Sequence, residues 1–165
     1  MVFNFNAAEV FDIAIKIEEN GKRFYDRGRE IVKDPVVQKL FAELSLEEIK
    51  HKEKFTKLKS ELPASAASGA VFDPNQELDL YIKMMADQHV FISTESVDAQ
   101  LDQIKDARDA LRMAVDFEKD SVIFFLTMQD ATEGAKGKDF IGSLVKEEQE
   151  HLRRLSLEMK RIGRK

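Results

Sequence analysis

Glu47-Glu48-Ile49-Lys50-His51 and Glu147-Glu148-Gln149-Glu150-His151 are two copies of one pattern, set a hundred positions apart. In each copy a glutamate precedes a histidine by three residues. On a helix that spacing puts carboxylate and imidazole one turn apart on the same face. The same offset relates Glu18, ahead of Phe24-Tyr25, to Glu118, ahead of Phe124-Phe125. Glu18, Glu48 and His51 thus form one set, and Glu118, Glu148 and His151 an equivalent set. Carboxylates and imidazoles in this ratio, spread over four helical segments, are the donor inventory of a two-metal carboxylate site inside a four-helix bundle. Alignment of 7–62 with 107–162 leaves few identities: Ala7, Ala14, Glu18, Phe24, Leu44, Glu47, Glu48 and His51 against their counterparts. Half of these are acidic or histidine, which a merely structural duplication gives no reason to keep.

The segments that carry these residues have helical period. The first helix is expected from Asn6, with Asn6 and Glu9 as a capping box and Phe5 against Val10 as a hydrophobic staple. Its apolar stripe is Phe11, Ala14, Ile15, Glu18 and Tyr25. The second opens at Asp34-Pro35, an N-cap followed by proline at the first helical position. Its stripe runs Val37, Leu40, Phe41, Leu44, Glu48, His51, Phe55, Leu58, and Pro63 with the Ala/Ser/Gly run through Ala70 ends it. From Pro63 to Lys105 the chain reads as a long connector with one short helix, Glu77 to Ala86. Asp106 and Asp109 open a third long helix with stripe Leu111, Ala114, Val115, Glu118, Val122, Phe125, broken at Thr132-Glu133-Gly134. The fourth carries Phe140, Ile141, Leu144, Val145, Glu148, His151, Leu155 and Ile162. Short, long and short connections give an all-α fold: one domain over 1–165, a four-helix bundle of two antiparallel hairpins joined by a long crossover. Glu18 and Glu48 each lie about 15 residues from the Lys33-Asp34 turn, so at 1.5 Å per residue both stand roughly 22 Å from it, level with each other.

Composition narrows the function classes. The chain has 165 residues, enough for one real core, and no cysteine, which excludes thiolate metal sites, iron–sulfur clusters and a cysteine nucleophile. Its 26 basic and 31 acidic residues are interspersed, for a net charge of −5, and no basic block suggests nucleic acid. No apolar run approaches the ~20 residues of a membrane span. Met1 to Phe11 lacks the charged and apolar regions of a signal peptide. A cytoplasmic protein with neither membrane nor nucleic-acid partner is expected.

Each of the paired glutamates lies in an apolar stripe, where an isolated carboxylate costs on the order of several kcal/mol. Two divalent cations would neutralise four glutamates, with the histidines supplying neutral nitrogen. Oxygen-rich ligation with one nitrogen per metal suits iron or manganese, and zinc also fits. One Glu-x-x-His is ordinary on a solvated helix; two copies on apolar stripes, with in-stripe partners at the same offset, favour metal. Glu47 and Glu147 read as flanking residues or as outer partners of the ligands, in preference to ligands themselves. Tyr25, two turns after Glu18, either hydrogen-bonds a ligand carboxylate or is a core tyrosine satisfied elsewhere, and Phe125 takes its place in the other half. His89, in the crossover and without a partner motif, reads as a surface or packing histidine.

Ile17-Glu18-Glu19-Asn20-Gly21-Lys22-Arg23-Phe24-Tyr25, Glu48-Ile49-Lys50-His51, Phe117-Glu118-Lys119-Asp120-Ser121 and Glu148-Gln149-Glu150-His151 resemble the rubrerythrin branch of the ferritin-like superfamily. The resemblance covers nearly the whole chain. It implies a ferritin-like bundle, a non-haem di-iron centre held by Glu18, Glu48, His51, Glu118, Glu148 and His151, and reduction of hydrogen peroxide. It also implies a homodimer, for which Tyr81, Met84, Met85, Val90 and Phe91 of the crossover offer apolar surface. Two departures stand out. The Cys-rich rubredoxin domain is missing, so electrons are expected from an external donor, a rubredoxin or a reductase. Ser121 stands where rubrerythrins carry a further glutamate. The alternative the residues leave open is iron binding and oxidation, a ferroxidase without peroxidase turnover.

Overall fold

A computed structural model of the chain describes residues 2–3, 7–62, 77–133 and 135–163. Six helices carry the architecture: α1 (Ala7–Ile31), α2 (Pro35–Ser60), α3 (Glu77–Asp87), α4 (Thr94–Leu101), α5 (Ala107–Ala131) and α6 (Ala135–Ile162). A two-residue antiparallel ladder joins β1 (Val2–Phe3) to β2 (Thr132–Glu133), with Val2 opposite Glu133 and Phe3 opposite Thr132. The expected Asn6 cap and Phe5 staple, the stop at 63–70 and the Gly134 breaker lie outside the described residues.

Local chemistry fixes the long helices where the sequence placed them. Asp34 accepts from the backbone N–H groups of Val36 (3.0 Å) and Val37 (3.2 Å), with Pro35 at the first helical position of α2. Those N–H groups have no intrahelical partner, and such a cap is worth about 1 kcal/mol. Arg161 near the end of α6 donates to the same carboxylate at 2.7 Å, tying the end of one hairpin to the turn of the other. Asp106 caps α5 in the same way, accepting from Arg108 and Asp109.

α1 packs along α2 and α5 along α6, giving the two expected hairpins, and α1–α5 and α2–α6 contacts close the bundle. The core is phenylalanine-rich. Phe11 meets Phe55 at 6.1 Å between ring centroids and Phe55 meets Phe125 at 5.0 Å, which joins the hairpins directly. Such rings bury about 150–250 Å² each and dominate core energetics.

Among its described residues the crossover holds two helices rather than one. α3 matches the expected element, and α4 lies where the sequence reads as connector. Its start is a capping box: Ser93 accepts from the Ser96 N–H at 3.1 Å, and Ser96 Oγ accepts from the Ser93 N–H at 3.2 Å. A serine at the third helical position does this in place of the usual Glu or Gln, and only Val97 and Leu101 mark the buried side. Between the two helices the crossover dips into the bundle. Phe91 is fully buried, stacked on Phe117 and tilted against Phe24 with both centroids 4.7 Å away, while its carbonyl accepts from Asn20 Nδ2 at 2.7 Å. Phe91 is therefore core, not spare surface for a partner. Tyr81 and Met84 of α3 do remain exposed.

Candidate metal centre

Glu18, Glu48, His51, Glu118, Glu148 and His151 are all buried, one face of each long helix contributing its carboxylate or Glu-x-x-His pair to the middle of the bundle. They converge. Donor atoms of Glu48, Glu118, Glu148 and His151 lie within 4.8 Å of one another, as do those of Glu18, Glu48 and His51. Glu48 belongs to both groups. Glu148 also spans them, with one oxygen 2.8 Å from His51 Nδ1 and the other 3.0 Å from His151 Nδ1. The imidazole rings stack at 5.4 Å.

These groups face one another without hydrogen-bonding. Both oxygens of Glu18, Glu48 and Glu148, Oε2 of Glu118, and Nδ1 of both histidines have no hydrogen-bond partner among the described residues. The close His51–Glu148 approach therefore lacks hydrogen-bond alignment, despite its length. Buried polar atoms are almost always paired, and each exception needs a cause. A cluster of inward-facing lone pairs is the donor set that divalent cations satisfy.

The electrostatics agree. Burial, then the neighbouring carboxylate of Glu18, pushes Glu48 well above the usual carboxylate range. Burial raises Glu118 to about 8, against the opposing pull of His151. Burial also opposes the charge of Glu148, but the two histidines overcome it and hold this carboxyl low. Glu48 and Glu118 are thus held protonated in the metal-free cluster, and cations entering the centre would take the place of those protons.

Glu47 and Glu147 are outer partners of the histidines, one of the two roles expected of them. Each reaches across to the histidine of the opposite hairpin: His151 Nε2 lies 2.7 Å from Glu47, and His51 Nε2 lies 2.9 Å from Glu147. A carboxylate acceptor at Nε2 fixes the N–H there and leaves the Nδ1 lone pair facing the cluster. Behind them stand cations at equivalent positions. Arg154 donates to both oxygens of Glu47, each at 3.0 Å, and Lys54 donates to both of Glu147, at 2.5 and 2.8 Å. The crossed pairing depends on how neighbouring helices pack, so no spacing within one helix signals it.

Tyr25 resolves in favour of the site. It is fully buried, and its hydroxyl donates a short hydrogen bond to Glu118 Oε1, across the bundle. Burial first, and the Glu118 charge second, keep this phenol protonated well above its ordinary range. His89 proves to be the packing alternative and not a surface residue. Its Nδ1 accepts from the Phe91 N–H at 3.1 Å, so Nε2 carries the proton and donates to Ser121 Oγ, also at 3.1 Å. Burial holds it neutral, down to about 3, with Glu148 pulling the other way.

The rubrerythrin family model matches residues 9–159. The chain belongs to the rubrerythrin family. A solved structure described as a ferritin-like diiron-carboxylate protein of Thermotoga maritima is similar over 94% of each chain, at 25% identity and a TM-score of 0.66. No match was found among the curated proteins. The chain is thus a ferritin-like, rubrerythrin-family bundle with a buried carboxylate–histidine cluster of the kind that holds metal. Among the described residues, no helix is long and apolar enough to cross a membrane.

Proposed function

We propose that the cluster holds two iron ions and that the protein reduces hydrogen peroxide with electrons from a separate donor protein. The observation that carries the metal half of this reading is the set of unpaired, inward-facing oxygens of Glu18, Glu48, Glu118 and Glu148 together with Nδ1 of His51 and His151. Glu18 and His51 would hold one ion, Glu118 and His151 the other, with Glu48 and Glu148 between them. Four carboxylates balance two divalent charges. Manganese or zinc would fit the same donors, and family membership supports iron.

When bound, a pair of iron ions supplies two electrons to an O–O bond. The chain's own residues set the conditions for it. Glu47 and Glu147 orient the imidazoles. Tyr25 holds one oxygen of Glu118 by donating its proton to it. The phenylalanine core keeps bulk water from the centre. With no cysteine among these 165 residues, the bundle itself has no thiolate redox centre, and the reducing equivalents are supplied from outside it. The exposed α3 side chains Tyr81 and Met84 favour self-association as a dimer, which sedimentation at micromolar concentration would test.

Anaerobically reduced, iron-loaded protein is expected to be oxidised faster by peroxide than by O₂ in stopped flow. The reverse order would replace peroxide reduction with iron oxidation and handling as the function of the same site.

A further inference from the structure

We infer that the two metal positions are unequal: the one at Glu118 and His151 fills first and holds its ion, while the one at Glu18 and His51 exchanges with metal in solution. The inference rests on the metal reading above and goes beyond it. Three independent features point the same way.

The first is the donor count already converged. His151 Nδ1 has carboxylate oxygens of Glu48, Glu118 and Glu148 at 3.5, 3.3 and 3.0 Å, whereas His51 Nδ1 has those of Glu18 and Glu148 at 3.5 and 2.8 Å, so Glu48 leans toward the His151 side. Glu148 lies nearly equidistant from the two imidazoles, at 2.8 and 3.0 Å, and does not itself distinguish them.

The second is support of the terminal carboxylate. Tyr25 anchors Glu118 through Oε1 and leaves Oε2 directed at the cluster. Phe125 occupies the equivalent place in the other half and has no hydroxyl, and neither oxygen of Glu18 has a hydrogen-bond partner. A ligand held in position by outer partners loses less freedom on binding.

The third is support of the imidazole. Behind His151, Glu47 is gripped by the guanidinium of Arg154, which is itself tied to Glu43 at 2.7 Å. Behind His51, Glu147 is held by the amine of Lys54 alone among the contacts formed there. The side chains of Glu47 and Arg154 are 33% and 21% exposed, those of Glu147 and Lys54 43% and 34%. One guanidinium nitrogen, Nη1, reaches both oxygens of Glu47 while Nη2 is committed to Glu43, so a planar group held at two points backs Glu47; Lys54 Nζ reaches both oxygens of Glu147 from a flexible stem with no second anchor among these contacts. The His51 arm is thus both the looser and the wetter of the two.

Outer partners of metal ligands are worth roughly 10–100-fold in affinity. Titration of metal-free protein with Co²⁺, read by its ligand-field absorption, should show two binding steps at least about tenfold apart in Kd. Crystals grown with one equivalent of Co²⁺ should place the anomalous peak beside Glu118 and His151. The double variant Tyr25→Phe, Arg154→Leu should draw the two steps together, and Lys54→Leu should push them further apart. Thermal melts of the metal-free variants would establish that each is folded. Two equal steps, or a first ion beside Glu18 and His51, would overturn the inference and leave the two-metal centre standing. Failure to bind Co²⁺ at all would overturn both.

Discussion

Gly21, Tyr25 and Lys54 stand in the first hairpin where the second has Ser121, Phe125 and Arg154. Between these unlike residues, the donors Glu18/Glu118, Glu48/Glu148 and His51/His151 stay the same. The contrast separates two kinds of constraint. Donor identity is set by what the centre must hold, and neither half is free to vary it. The surroundings answer to local packing, which differs. A side chain at Gly21 would run into the Phe117 ring and come 3.1 Å from Glu48 Oε2, so only hydrogen fits there. Ser121 sits a turn beyond Glu118, where the crossover delivers His89, and its hydroxyl accepts the imidazole proton. Gly21 stays small because the Phe117 ring of α5 fills the space beside it, and its counterpart is polar because the crossover brings His89 there.

The largest effect should come from the donor the halves share most evenly. Glu148→Ala removes the carboxylate set between both imidazoles and should lower affinity at both positions, beyond the roughly 10–100-fold that loss of an outer partner costs. Elemental analysis after dialysis would show metal falling from two per chain toward none. Retention of two would mean that Glu148 is not shared.

Tyr25→Phe tests the asymmetry at the terminal carboxylates. It deletes a buried hydrogen bond, leaves Glu118 Oε1 unpaired and should destabilise the metal-free protein by about 1–3 kcal/mol in urea melts. Gly21→Ala should cost about 1–3 kcal/mol by overpacking against Phe117. An unchanged midpoint would show that the ring moves aside freely.

The long helices were legible because their signals are local. Asp34-Pro35 and Asp106 are caps read from a few adjacent residues, and the stripes of α2 and α6 place Glu48, His51, Glu148 and His151 inward by period alone. The six candidate ligands follow from the same periodicity. What was not legible depends on the packing of distant segments. α4 has two buried apolar residues and a serine capping box, too little for a period. The Glu47–His151 and Glu147–His51 pairs join opposite hairpins. Burial of His89 and Phe91 follows from where the crossover enters the bundle, and nothing in their neighbours announces it.

His89 gives a pH test of that entry. Its folded value is about 3, below the ~6.5 of an unfolded histidine, so between these values the unfolded chain takes a proton that the native one refuses. Stability should therefore fall as pH drops through this window, with His89 contributing a slope approaching about 1.4 kcal/mol per pH unit. His89→Gln should flatten that part of the profile in equilibrium urea melts. An identical slope in the variant would mean that His89 does not remain neutral.

The smallest effect belongs to the neighbour of a ligand. Glu19 pairs with Lys52 at the surface, at 2.6 Å with both side chains over 40% exposed, and such pairs are worth about 0–1 kcal/mol. Glu19→Ala should leave metal content unchanged, whereas Glu18→Ala should lose metal. Equal losses would reverse the assignment of the buried face of α1.

The most direct measurement is metal content combined with anomalous diffraction on protein expressed and purified anaerobically with iron supplied. The account predicts two ions per chain, both inside the cluster formed by Glu18, Glu48, His51, Glu118, Glu148 and His151. One ion or none per chain, or ions bound elsewhere with these side chains paired among themselves, would contradict it.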